Sequence, residues 1–279
     1  MIKACVIGWP IAHSRSPLIH GYWLKTYGID GSYTRIPVEP QNLRAFVDGL
    51  RANGFAGCNV TMPHKEEVFR LVKVADEQTR RLGSLNTVYI ENETLYGTST
   101  DGLGFLANLK STVPALDLRN RKVVLLGAGG SAAAIAGNLL AEGVAELCIV
   151  NRSLPRAEAI ADRFGSGIRP VGWDRRAVEL AEASLLINTT SLGMAGQAPL
   201  DISLAALPSG AVVADIVYTP LVTDLLMAAQ AGGHPVVTGL GMLLHQAVPG
   251  FEKWFGRRPV VTRELYDLTA RDIDPTYRP

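Results

Sequence analysis

The chain of 279 residues predicts an α/β fold made of two α/β domains, and three observations carry that prediction. Short apolar runs alternate with helical stretches through roughly the first 75 residues, the pattern of a mostly parallel sheet covered by helices. A second alternation starts at Lys122, where a strand runs straight into a glycine-rich turn and a small-residue helix. Between the two lies LKSTVPALDLRNR, whose proline, serine and charged residues read as a linker.

The elements follow in order. Lys3 to Ile7 is a buried strand, and SPLIHGYWLKTYG a helix with Ser16 as N-cap, Pro17 at its first position and Gly28 as its stop. A strand from Ser32 to Val38 precedes a helix from about Gln41 to Ala52, and Gly57 to Thr61 is the next strand. A helix from about Pro63 to Val72 begins on a proline, which the first helical position tolerates. LNTVYIENETLYGTS alternates around Asn92 as a hairpin does, and a helix starts near Asp101. In the second series Lys122 to Leu126 and Leu147 to Val150 are strands, and Ser131 to Glu142 and Leu154 to Phe164 are helices. SLLIN, AVVADIV and PVVTG continue the strands at doubly wound intervals. GMLLHQAVPGFEKWFG is an amphipathic helix with a kink expected at Pro249, placed to return to the first domain.

Composition narrows the partners. A formal net charge of +1 with 19% charged residues leaves no basic field for nucleic acid, and 47% hydrophobic residues fit a substantial core. Cys5, Cys58 and Cys148 are isolated, as buried reduced thiols of a cytoplasmic protein would be, rather than zinc ligands. MIKACVIG is a strand rather than a signal peptide, and no apolar run approaches the roughly 18 residues of a membrane span. A small-molecule ligand is therefore expected, with no nucleic acid and no membrane.

VVLLGAGGSAAAIAGNLL sets strand, GxGxxA (Gly127, Gly129, Ala132) and helix in succession. Glycines let backbone approach a pyrophosphate, and free N–H groups at the helix start meet its charge, although the pair Gly129–Gly130 could simply make a tight turn. The next strand ends in CIVNRSLPR. A carboxylate there would bind a ribose 2′-hydroxyl and repel a 2′-phosphate. Asn151, Arg152 and Ser153, with Arg156 within a turn, would instead receive the phosphate, so NADP(H) is the expected cofactor unless both arginines are plain surface residues.

NVTMPHKEE poses a different question. Glu66 and Glu67 suit the positive end of a helix dipole, whereas Lys65 does not, at a cost of roughly 0.3–1 kcal/mol. Some other group should want that cation. Ser14 and Ser16 stand two apart before a helix, where hydroxyls and N–H groups can hold a carboxylate, though Ser16 also suits a cap. Asn59 and Thr61 end a strand on the usual ligand side of an open sheet. GSLNT supplies Asn86, and GTSTDG supplies Asp101, a second candidate cap. His64 adjoins Lys65, but adjacent helical residues face different ways. His13, His20 and His245 read as packing groups, and with no HExxH spacing no metal is expected.

Together GWPIAHSRSPLIH, NVTMPHK, GSLNT, STDG, GAGGSA, NRS, INTTSLGM, DIVYTPLVT and GMLLHQA resemble the shikimate dehydrogenase family over essentially the whole chain. The resemblance implies a discontinuous substrate-binding domain, residues 1–102 and 240–279, and an inserted Rossmann-type NADP-binding domain, residues 103–239. It implies reversible reduction of 3-dehydroshikimate to shikimate, a step of aromatic amino-acid biosynthesis, by a monomer or homodimer. It makes Lys65 and Asp101 the catalytic pair. Ser14, Ser16, Asn59, Thr61, Asn86, Tyr218 and Gln246 would contact substrate. Gly127, Ala128, Gly129, Gly130, Ser131, Ala132, Asn151, Arg152, Ser153, Arg156, Thr190, Gly239 and Met242 would contact cofactor. Two departures stand out: Ser99 replaces the asparagine of the usual NTDG, and Ser153 the threonine of NRT, neither being a catalytic group. A quinate/shikimate dehydrogenase of broader specificity and a non-catalytic sensor of the same fold are the other readings, the sensor disfavoured by an intact Lys65 and Asp101.

Overall fold

The computed structural model describes residues 1–279 as two compact units, Met1–Asp101 with Leu244–Thr269, and Gly102–Leu243 with Ala270–Pro279.

In the first unit the chain runs β1 (Ile2–Gly8), α1 (Ser16–Tyr27), β2 (Gly31–Pro37), α2 (Leu43–Gly49), β3 (Phe55–Val60), α3 (Lys65–Leu71), β4 (Lys73–Val74), α4 (Glu77–Leu82), β5 (Thr87–Glu91) and β6 (Thr94–Thr98). The sheet order is β2-β1-β3-β5-β6-β4. β1 lies parallel between β2 and β3, and the β5–β6 hairpin adds antiparallel, as expected around Asn92. Asn92 and Glu93 form its turn at φ 47° and 64°, the left-handed pair that matches strand twist in a two-residue hairpin loop. On one face Cys5, Ile7, Cys58 and Val60 pack with Leu43, Val47, Leu50 and Val68, and all three cysteines of the chain are buried free thiols.

Two helix starts differ from the sequence reading. Gly28 closes α1 at φ 62° as expected, but Arg15 takes the N-cap position and Ser16 is already helical. Pro63 precedes α3 instead of opening it. The His64 N–H closes a turn onto the Thr61 carbonyl at 3.0 Å, so the first helical residue is Lys65.

The second unit holds α5 (Asp101–Thr112, entered from the first unit), β7 (Lys122–Leu126), α6 (Gly130–Ala141), β8 (Glu146–Asn151), α7 (Leu154–Phe164), β9 (Ile168–Gly172), β10 (Ala183–Asn188), β11 (Val212–Asp215), α8 (Asp224–Ala231) and β12 (Val236–Val237). All its strands are parallel in the order β12-β11-β10-β7-β8-β9. The order reverses at β7, which puts the ligand end of a doubly wound sheet at the carboxyl ends of β7, β8 and β10. Val123, Val124, Leu125 and Leu126 are fully buried, as strands covered on both faces require. β9 and α8 are unassigned in the sequence reading, although Thr223 caps α8 and Gly232 ends it. α9 (Gly239–Phe255) continues through Pro249 without interruption, and α10 (Arg263–Ile273) follows. No helix is long and apolar enough to cross a membrane.

Candidate active site

The lysine at the head of α3 finds its partner in the first unit. Lys65 Nζ donates to Asp101 Oδ2 at 2.6 Å, with the two side chains 29% and 10% exposed. An ionised pair this short is a charge-assisted hydrogen bond, and the carboxylate offsets the misplaced cation at the helix start. Val68 is fully buried, and the Leu85 N–H binds the Lys65 carbonyl at 3.2 Å, so both ends of that first turn are held. His64 is buried with Nε2 2.7 Å from the Val38 carbonyl, engaged elsewhere.

Asn86, one residue before β5, is the hub. Its two Nδ2 protons are shared among Asp101 Oδ1 at 2.7 Å, Thr100 Oγ1 at 3.0 Å and Gln246 Oε1 at 3.3 Å. Its Oδ1 accepts from the Thr100 N–H at 2.9 Å and from the Thr87 hydroxyl at 3.1 Å. The Asp101 carboxylate thus has both oxygens engaged by Lys65 and Asn86. Asn59, on β3 beside β5, donates from Nδ2 to the Asn86 carbonyl and Thr87 Oγ1, both at 3.1 Å, and accepts at Oδ1 from the Tyr33 hydroxyl at 2.6 Å. With both N–H groups engaged, Asn59 keeps only acceptor capacity for a ligand hydroxyl. Thr61 sits where Gly8 makes room, a Cβ on Gly8 coming 2.6 Å from its methyl.

The serines form the other end of this arrangement. The Ser16 N–H donates to Ser14 Oγ at 3.3 Å, and the two hydroxyls lie 3.3 Å apart. Arg35 on β2 holds the Ser14 carbonyl through Nε at 2.7 Å. Ser16 makes no capping bond, so its hydroxyl is not a helix cap.

The second unit offers backbone. β7 ends in Gly127 at φ 104°, where a Cβ would come 2.8 Å from Thr189 Oγ1, and α6 starts from Gly129 with no side-chain cap. A Cβ on Gly129 or Gly130 would meet nothing within 4 Å, so the glycine turn faces open space beside the first N–H groups of α6. Ala128 and Ser131 are half-buried and Ala132 is fully buried. These residues fit a pyrophosphate cradle. At the end of β8 the Asn151 side chain holds the Ser153 carbonyl at 2.8 Å, and Arg152, Ser153 and Arg156 are exposed. α7 has no acidic residue in its first turn, so no carboxylate sits where a ribose 2′-phosphate would meet the strand end.

Behind the cradle lies a network that sequence reasoning missed. Asp215, at the end of β11, accepts from Asn188 Nδ2 at 3.0 Å, the Val217 N–H at 2.9 Å and the Thr223 hydroxyl at 2.8 Å. Burial pushes its carboxyl up to about 6, against those three hydrogen bonds. Asn188 also fixes Thr190 through Oδ1, at 3.0 Å from its N–H and 2.7 Å from its hydroxyl. The loops bearing Thr190 and Tyr218 are thereby tied to two strand ends. Gly239 packs on the Ile216 and Val217 carbonyls where no side chain would fit, and Met242 is buried one turn along. Tyr33, Thr87, Thr100, Asn188, Asp215 and Thr223 all hold other polar groups in place. Of these only Asn188 and Asp215, polar residues at the carboxyl ends of buried apolar strands, carry a sequence signal that could have found them. No group of three or more His, Cys, Asp or Glu is arranged to hold a metal ion.

Comparison with known proteins points the same way. Residues 6–88 match the shikimate dehydrogenase substrate binding domain, residues 108–194 the family described as shikimate / quinate 5-dehydrogenase, and residues 239–261 the shikimate 5′-dehydrogenase C-terminal domain. The shikimate dehydrogenase (NADP(+)) of Rhodopseudomonas palustris strain TIE-1 is 51% identical over 98% of this chain and 97% of its own. Among solved structures, shikimate 5-dehydrogenase from Thermus thermophilus in complex with NADP(H) and shikimate is 33% identical at a TM-score of 0.84, covering 98% of this chain and 100% of that one. Quinate dehydrogenase from Corynebacterium glutamicum in complex with NAD is 31% identical at a TM-score of 0.89, covering 96% and 98%. A chain of this fold with half its residues shared along nearly its whole length belongs to the shikimate dehydrogenase family.

Proposed function

We propose that the chain is an NADP-dependent shikimate dehydrogenase that interconverts 3-dehydroshikimate and shikimate in aromatic amino-acid biosynthesis, and that Lys65 and Asp101 carry its proton chemistry. The observation behind this reading is the 2.6 Å pair of Lys65 and Asp101, tied through Asn86 to Gln246 within a unit that matches a substrate-binding domain. When bound, the nicotinamide supplies or accepts the hydride. The proton belongs to the protein. In reduction the Lys65 ammonium polarises the carbonyl and protonates the oxygen that becomes the hydroxyl; in oxidation the neutral amine takes that proton back. Asp101 aims Lys65 and accepts a ring hydroxyl. Asn59, Thr61, Asn86 and Gln246 bind the hydroxyls, and Ser14, Ser16 and Tyr218 the carboxylate.

Gly127, Ala128, Gly129, Gly130, Ser131 and Ala132 would hold the pyrophosphate. Asn151, Arg152, Ser153 and Arg156 would hold the 2′-phosphate, with Thr190, Gly239 and Met242 on the nicotinamide side. The residues 1–102 and 240–279 would serve substrate and residues 103–239 cofactor. A near-neutral balance of +1 supports a small-molecule enzyme working without nucleic acid; a place in the cytoplasm and a monomeric or homodimeric state follow from the family resemblance alone.

Quinate is the second reading, favoured by the likeness to a quinate dehydrogenase that binds NAD. One assay separates the possibilities: shikimate or quinate, each with NADP or NAD, followed by absorbance of the reduced cofactor. Shikimate with NADP is expected to be fastest. Faster quinate oxidation with NAD would replace the reading by a quinate dehydrogenase, and no turnover in any combination would leave a binding protein.

A further inference from the structure

Tyr33 belongs to no motif in the sequence, yet it lies between the two ends of the site in the first unit. Register explains how it reaches. Tyr33 pairs with Ala4 of β1, Asn59 with Val6 of β1 and Thr87 with Asn59, so all these side chains share one face of the sheet. Ala4 is small enough for the phenol ring to lie across β1. The ring is fixed by packing: His20 of α1 stacks on it at 3.9 Å between centroids and 9° between planes, and Trp254 of α9 closes on it at 5.8 Å. His20 is itself fully buried, with neither ring nitrogen in a regular hydrogen bond and Asn59 the polar group beside it.

The hydroxyl is directional. Tyr33 Oη donates to Asn59 Oδ1 at 2.6 Å, and the Ser16 side chain is the polar group on its other side. Burial raises its pKa well above the phenol value, so it remains a donor at any working pH. Donors therefore run in one sense from Tyr33 to Asn59, on to Thr87 and Asn86, and finally to Asp101, which also accepts from Lys65, while Ser14 donates to Ser16 beside the tyrosine. Chained hydrogen bonds of this kind reinforce one another, and deleting a buried member leaves its neighbours unpaired.

We propose that Tyr33 is a positioning residue for the substrate: its caged hydroxyl ties the serine pair that takes the carboxylate to the asparagine group that takes the ring hydroxyls, fixing how far apart the two ends are held. This rests on the function proposed above.

The test is Tyr33→Phe, which keeps the stacked ring and removes only the hydroxyl. The kcat/KM for shikimate is expected to fall about 10- to 100-fold, the effect of leaving buried polar partners unsatisfied, carried mainly by a raised KM. The KM for NADP should stay within about twofold and Tm within about 5 °C, which a merely structural role would not respect. In a Ser16→Ala background the same change should cost much less, because the link is already cut. Full kcat/KM for shikimate in the variant, or effects that multiply independently with Ser16→Ala, would overturn the proposal. Should the variant lose cooperative unfolding, a shikimate-bound crystal structure of the wild-type chain decides. The Tyr33 hydroxyl is expected within about 3.2 Å of both Ser16 Oγ and Asn59 Oδ1, and a hydroxyl turned to neither refutes it. A wild-type chain that does not oxidise shikimate would fail the functional reading itself and take this proposal with it, whereas an active wild type beside an unimpaired variant removes Tyr33 alone.

Discussion

The two units solve opposite problems with the same kind of sheet. The first gathers side chains at its strand ends, where Lys65, Asp101, Asn86, Asn59 and Gln246 make one network in which nearly every polar atom has a partner. The second gathers main chain: a glycine turn with room beside it, uncapped N–H groups and two exposed arginines. A site of side chains is specific in shape and intolerant of any single deletion, whereas a site of backbone depends on the space around it. Burial itself acts alike behind both sites, favouring the neutral form and so pushing His20 in the first unit down to about 3 and Asp215 in the second up to about 6.

If that contrast is right, the largest loss comes from one side chain. Lys65→Ala should lower turnover by about 10²-fold or more, in the range of a lost acid–base group, with shikimate binding changed far less. Steady-state rates with a separate binding titration check this, and wild-type turnover would remove the lysine from the chemistry.

A smaller effect should come from filling space in the second unit. Gly127→Ala forces a side chain into φ 104° and against Thr189, so a stability loss of about 1–3 kcal/mol in denaturant melts is expected, together with weaker NADP binding. Unchanged stability would mean that this turn relaxes freely.

Arg152→Ala should be milder still, raising the KM for NADPH about tenfold, as a lost charged hydrogen bond would, while leaving that for NADH nearly unchanged. An equal effect on both cofactors would detach the arginine from the 2′-phosphate.

The gentlest test is pH. His20 binds a proton more weakly folded than unfolded, so its contribution is complete above its ordinary 6.5 and is lost as pH falls toward 3. Asp215 acts in the other sense: its contribution is present below 3.8 and lost as pH rises through 6. Between these values each changes stability by at most about 1.4 kcal/mol per pH unit. Relative to wild type, stability measured by melting between pH 4 and 6 should therefore slope downward with rising pH in His20→Gln and upward in Asp215→Asn. Parallel curves for all three proteins would show that neither group titrates as its surroundings dictate.

The legibility of the molecule divides along the same line. The strand and helix series, the hairpin at Asn92 and the αL stop at Gly28 are readable because glycine placement and apolar alternation are local properties. The misfit of Lys65 with its helix dipole announces a partner, and Asp101 supplies it from a helix 36 residues away in sequence. What stays hidden is tertiary. Pro63 reads as the first residue of α3 because nothing local reveals the Thr61–His64 turn. Tyr33 looks like an ordinary strand residue, since its hydrogen bond reaches across the intervening β1 and leaves no periodic trace, whereas Asp215 closes an apolar strand and could have been singled out.

α3 is barely two turns long, and it opens on the residue to which we assign the proton chemistry. With Val68 buried and the Lys65 carbonyl held by Leu85, that turn cannot fray alone, so activity on warming should persist until the main melting transition and vanish with it. A loss of rate well below that transition would show the turn to be looser than its contacts.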